Sequence, residues 1–194
     1  MAAASMAYES DSYEFPDPIN ITEFLDTRDN IWTVITTAND SQRCKVDKKE
    51  FINSTDYYFS RKHLAPSGFV EEKLRGKFIG SFRPFTSMEV GPKSQDPTGI
   101  EELIYQGERN RCGVFELRNV TTEIHSPCYY LYNRPCWQYR AFDIRVRGYG
   151  GNVTAQECLQ WFLKVYPEET FTRVLYNKSC NGIGRLHMIM SRPQ

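Results

Sequence analysis

Six cysteines and six N-glycosylation triplets within 194 residues constrain this chain more than anything else in it. The cysteines are Cys44, Cys112, Cys128, Cys136, Cys158 and Cys180. No two form a C-x-x-C pair, and His63, His125 and His187 stand far apart in sequence. Zinc-ligand spacing is therefore absent, and the even cysteine count reads as a disulfide framework. The triplets open at Asn20, Asn39, Asn53, Asn119, Asn152 and Asn177, each with Ser or Thr two places on and no proline between. One such triplet carries little weight. Six of them beside six cysteines point to a secreted, extracellular glycoprotein that folds in an oxidising lumen.

The length suits one domain with a sizeable core. Hydrophobic residues make up 40% and aromatics 14%, which separates the chain from disordered sequences. Lys+Arg and Asp+Glu balance at 24 each, so there is no electrostatic footprint for nucleic acid and no basic block for an anionic membrane. No apolar run approaches the roughly 20 residues that cross a bilayer. Met1–Met6 (MAAASM) is read as a vector-derived remnant where a signal peptide would be removed, leaving residues 7–194 as a single domain.

Two helical patterns interrupt a background of strand. Near the N-terminus Pro18 precedes Ile21, Phe24 and Leu25 at helical spacing, and Asp26–Asn30 ends the pattern. Later, Thr154 and Glu157 form a capping-box signature before the apolar stripe Cys158, Trp161, Phe162 and Val165, which stops at Pro167. Between them the apolar period is close to two. Strands are expected at Ile31–Thr37, Phe51–Ser60, Lys73–Phe82, Thr86–Val90, Leu103–Gln106, Gly113–Arg118, Tyr129–Tyr132 and Tyr139–Arg147. Turn signals at Pro66–Gly68, Gly91–Pro92, Asp96–Gly99, Asn133–Pro135 and Gly148–Gly151 separate them. Strands joined by short turns imply an antiparallel meander, most simply an all-β, eight-stranded barrel with one helix at each end of the chain.

Enzymatic constellations are thin: three isolated histidines and no evident nucleophile–base pair imply that the chain is not an enzyme. The aromatics carry more promise. Trp32, Phe59, Phe78, Phe82, Tyr105, Phe115, Tyr130, Tyr132 and Phe142 fall on expected strands. Pointing inward, they would line an apolar cavity suited to a flat hydrocarbon with one polar end, such as a sterol. An amine ligand would instead need buried carboxylates, for which Glu89, Glu101, Glu116 and Asp143 are the strand-borne candidates.

The segment Ile21–Thr37 (ITEFLDTRDNIWTVITT), the run Cys112-Gly-Val-Phe-Glu-Leu117, the run Phe142-Asp-Ile-Arg-Val146, Cys158-Leu-Gln-Trp-Phe162 and the late Cys180 together resemble the tick salivary lipocalins. The resemblance spans most of Ile21 to Cys180 and is greatest to the japanin-like members. One departure stands out: the Gly-x-Trp signature of lipocalins is missing, because Asp29 and Asn30 precede Ile31-Trp32. The resemblance implies an eight-stranded barrel with both helices outside it and a Trp packed across the barrel floor. It also implies a bound lipid, cholesterol or a similar sterol, in place of any cofactor or metal, and modulation of host immune cells, dendritic cells among them, through a surface receptor. Scavenging of histamine, serotonin or a leukotriene is the alternative within the same family. A protein-binding inhibitor of complement or of a protease is the alternative from another class. The expected form is a monomer. The resemblance further implies disulfides Cys44–Cys180, Cys112–Cys158 and Cys128–Cys136.

Overall fold

The computed structural model describes residues 18–39, 41–121, 136–148, 151–169 and 173–188, with backbone alone at 120–121, 136–139, 151–152 and 184–188. Eight antiparallel strands follow one another around a closed barrel: β1 (Ile31–Thr36), β2 (Arg43–Ile52), β3 (Asp56–Ala65), β4 (Gly68–Ile79), β5 (Ser87–Pro92), β6 (Gly99–Gln106), β7 (Cys112–Thr121) and β8 (Cys136–Arg147). Each pairs with the next, and β1 pairs with both β8 and β2, which closes the ring and leaves no open edge. A two-residue ninth strand, β9 (Arg173–Val174), lies on the end of β1. The eight-stranded barrel expected from the turn spacing is the observed architecture.

Several expected boundaries shift. The segment Phe51–Ser60 spans the turn between β2 and β3 rather than one strand, and most of β2 is absent from the sequence-based set. Its run Arg43–Glu50 alternates charge with Cys44 and Val46, a pattern that reads as solvated surface. The expected strand Lys73–Phe82 stops at Ile79, and Gly80, at φ 144°, turns the chain out so that Phe82 lies in a loop, 87% exposed. Gly91 and Pro92 end β5 rather than forming its turn. Tyr129–Tyr132 lies outside the described residues.

The first helix, α1 (Ile21–Leu25), starts where Asn20 Oδ1 accepts from the Glu23 amide, the usual N-cap contact. Ile21, Phe24 and Leu25 are buried and plug one end of the barrel, so of the two helices expected outside the wall only the second packs there: the apolar face of α1 is needed to cover the aromatic interior. Gly113 makes that fit possible: a Cβ there would sit 3.0 Å from the Phe24 ring and 2.7 Å from Leu103. The second helix, α2 (Gly151–Val165), begins three residues before Thr154. The capping box at Thr154 and Glu157 is thus not the helix start, and Glu157 is used elsewhere, accepting from the Tyr105 hydroxyl at 3.0 Å.

The barrel wall separates two apolar clusters. Outside, Trp32, Val34, Val114, Phe142, Ile144 and Val146 pack against Ala155, Cys158 and Phe162 of α2 and against Cys180. Inside, at the plugged end, Phe24 and Leu25 meet Tyr57, Phe59, Phe78, Met88, Leu103 and Phe115. Disulfides Cys112–Cys158 and Cys44–Cys180 clamp α2 and the C-terminal segment to the outer wall. A partner for Cys136 in Cys128 lies outside the described residues.

Candidate ligand-binding cavity

Alternation along β7 and β8 decides what the barrel interior contains. Phe115 pairs with Asp143 and Glu116 with Phe142, so each pair shares a face. Phe115 and Asp143 point inward; Glu116 and Phe142 point outward, where Glu116 takes the Arg140 guanidinium at 2.9 Å. On β1 a bulge between Thr33 and Ile35 returns Thr36 to the inner face, and its hydroxyl donates to Asp143 Oδ1 at 2.8 Å.

The interior above the apolar plug is a closed ring of charge. Lys45 Nζ lies 2.8 Å from Asp143 Oδ2, and Arg145 Nη2 lies 3.1 Å from the same oxygen. Arg145 Nη1 reaches Glu101 Oε2 at 2.5 Å, and Glu101 Oε1 takes Arg61 Nη1 at 2.8 Å. Arg61 closes a bidentate pair with Asp47 through Nε and Nη2, both at 2.7 Å. Below the ring, the Arg145 guanidinium stands 4.3 Å over Phe115 and that of Arg61 5.2 Å over Phe59. Three cations (Lys45, Arg61, Arg145) thus meet three carboxylates (Asp47, Glu101, Asp143). Burial by itself would raise the Asp143 pKa, but Lys45 and Arg145 outweigh it and hold the carboxyl down to about 2. Glu101 is likewise pulled well below the usual carboxylate range by Arg145 and Arg61 against the cost of burial.

Above this ring, at the end opposite α1, a cavity of about 540 Å³ opens to solvent. Its apolar wall comes from Leu74, Val90, Pro92 and Leu117; its polar floor is Lys45, Arg61 and Glu101. Glu72, Asn39, Arg118 and Asn119 stand around the mouth. The chemistry available is shape-selective binding of a small molecule with an apolar body. Among the described residues no group of three or more His, Cys, Asp or Glu is arranged to hold a metal ion.

None of the seven described aromatics expected at the ligand lines this cavity. Phe59, Phe78 and Phe115 are inside but belong to the filled, plugged end. Trp32, expected across the barrel floor, faces outward and meets Tyr176 edge-on at 5.1 Å. Tyr105 stacks on Trp161 of α2 at 4.6 Å, and Phe142 packs on Phe162 and Tyr166, all outside the wall. Phe82 is in its loop, and Tyr130 and Tyr132 lie outside the described residues. Of the acidic candidates, Glu101 and Asp143 are inside and paired, while Glu89 and Glu116 are not in the ring. Lys45, Asp47, Arg61 and Arg145 were not singled out from sequence. The only signal for Lys45, Asp47 and Arg145 was charge alternating with apolar residues in Cys44–Asp47 and Phe142–Val146, a pattern that a solvated strand shares, and Arg61 had none.

No protein-family model matches the sequence, and no curated protein matches it. Solved structures do resemble the barrel. A siderocalin, Ex-FABP, described as functioning through dual ligand specificities, aligns with TM-score 0.51 at 12% identity, over 76% of this chain and 89% of its own. The fold is that of a lipocalin. Two other lipocalins are similar: the cockroach allergen Per a 4 (TM-score 0.47, 12% identity, 76% of this chain and 81% of its own) and aphrodisin, a sex pheromone from female hamster (0.45, 11%, 87% and 100%). Among the described residues no helix is long and apolar enough to cross a membrane.

Proposed function

We propose that the chain is a secreted carrier that takes one small, largely hydrocarbon molecule with a neutral polar end into the mouth cavity. The observation that carries this is the cavity's make-up: an apolar wall above a floor whose charges already balance. A ligand cation would find Glu101 and Asp143 engaged by guanidinium and ammonium groups. A ligand anion would add an uncompensated charge to a ring that has none to spare. A hydroxyl fits without either cost, because Lys45 Nζ carries three donors and has one close carboxylate partner. A volume near 540 Å³ is in the range of small-molecule sites.

Among the ligands implied by the tick-lipocalin resemblance, cholesterol or a related sterol suits this chemistry better than histamine or serotonin. The same resemblance supports action on host immune cells, dendritic cells included, as the role of the loaded carrier. Titration with the fluorescent sterol dehydroergosterol tests the binding claim. Saturable uptake is expected in the native protein and its loss in Leu117→Glu, with the far-ultraviolet spectrum unchanged. Tight uptake of histamine with no sterol uptake would sink the reading.

A further inference from the structure

On β7, Phe115, Leu117 and Asn119 share one face of the strand. Phe115 is buried inside the barrel and Leu117 forms cavity wall, so Asn119, next on that face, lines the cavity at its rim. It is exposed there, and it opens the triplet Asn119-Val120-Thr121. Its cross-strand partner is Gly99, also on the rim, where a Cβ would sit 2.7 Å from the Arg118 carbonyl oxygen and 3.5 Å from Asn119 Oδ1. The rim is therefore bare beside the asparagine amide. Disulfides Cys44–Cys180 and Cys112–Cys158 fit passage through the compartment where such triplets are modified.

We infer that Asn119 carries an N-linked glycan rooted on the inner side of the rim, so that the glycan overhangs the cavity mouth and governs access to it. In the reaction Asn119 Nδ2 bonds to the anomeric carbon of an oligosaccharide held on a lipid pyrophosphate. The sugar–pyrophosphate C–O bond breaks, the lipid pyrophosphate leaves, and the amide gives up one proton. A glycan anchored on an outward-facing strand position would coat the wall and leave the opening clear. Rooted at Asn119, it narrows the opening, slows exchange with solvent and keeps protein partners off the mouth. This deepens the carrier reading, since the gated cavity is the proposed ligand site.

The test uses protein secreted from a glycosylating host. Peptide mapping should find a glycan on Asn119 that is missing in Thr121→Ala, the other triplets being unchanged. Access is then read without any ligand. Val90→Cys places a thiol on the cavity wall, and a polyethylene-glycol maleimide should label it several-fold more slowly than the Val90→Cys, Thr121→Ala double variant. An unmodified Asn119 in the secreted protein, or equal labelling rates, overturns the inference. If Val90→Cys is not secreted, release of dehydroergosterol from the native protein and from Thr121→Ala replaces labelling: slower release from the native form supports the inference and equal release overturns it. Absence of sterol uptake in both forms counts against the carrier reading alone, because the peptide map and the labelling rates involve no ligand.

Discussion

Asp143 is the residue on which the interior turns. It accepts from Thr36, Lys45 and Arg145 at once, so Asp143→Asn leaves the buried Lys45 without its carboxylate and Arg145 with one fewer. Removing one partner of a buried ion pair costs about 3–5 kcal/mol, and urea denaturation of Asp143→Asn should show a loss of that order. Glu116→Gln, one position along the partner strand from Phe115 and on the outer face, removes a half-exposed pair with Arg140. That change should cost about 0–1 kcal/mol. Equal losses would mean the ring is not the interior of the barrel. The pH dependence follows from the same residue. Its folded pKa, about 2, lies below the ordinary Asp value, so its charge favours the native state above that value. The contribution is lost as pH falls through about 4 toward 2. Thermal unfolding temperature should therefore be insensitive to this group near neutrality and fall below about pH 4. A fall centred near pH 6 would point to a histidine instead.

Helix α2 is stable only because it is docked. Its apolar stripe, Ala155, Cys158 and Phe162, covers Phe142, Ile144 and Val146 on the outside of β8, and Trp161 stacks on Tyr105. Phe162 is fully buried between Phe142 and Tyr166. Phe162→Ala should cost about 3–5 kcal/mol, read as a lower denaturant midpoint, while sterol uptake in the remaining folded fraction stays native. The two functions separate because the helix packs outside the wall and the cavity opens within it. The disulfide from Cys112 to Cys158 ties the two layers across 46 residues. Its removal by paired Ser substitution should cost about 2–5 kcal/mol. A paired variant as stable as the native protein would show that packing alone holds the helix.

Among the described residues the barrel is closed at one end by α1, filled with aromatics behind it, crossed by the charged ring and open above that ring. Binding energy for a neutral ligand then comes from hydrocarbon buried on Leu74, Val90 and Leu117, at about 25 cal/mol per Å². Sterol affinity should change little between low and high salt, because no ion pair forms with the ligand. A steep salt dependence would indicate a charged ligand.

The antiparallel barrel and the helices at Ile21–Leu25 and around Cys158–Val165 were legible in the sequence, because turn residues, apolar period and chain length act locally; most of β2 and the docking of α1 into the barrel end were not. The side of the wall on which a residue lies was not. β8 is buried on both faces, by the interior and by α2, so Phe142-Asp-Ile-Arg-Val146 satisfies either register, and one step along the chain exchanges aromatic for acid. Likewise Lys45 and Asp47 read as solvated charges until β3, β6 and β8 bring Arg61, Glu101, Asp143 and Arg145 around them. A buried charge is tolerated only with its partners in place, and those partners lie 14 to 98 residues away along the chain. Sequence alone determined the barrel; closure of the barrel decided that its middle is a ring of ion pairs and that the cavity lies above it.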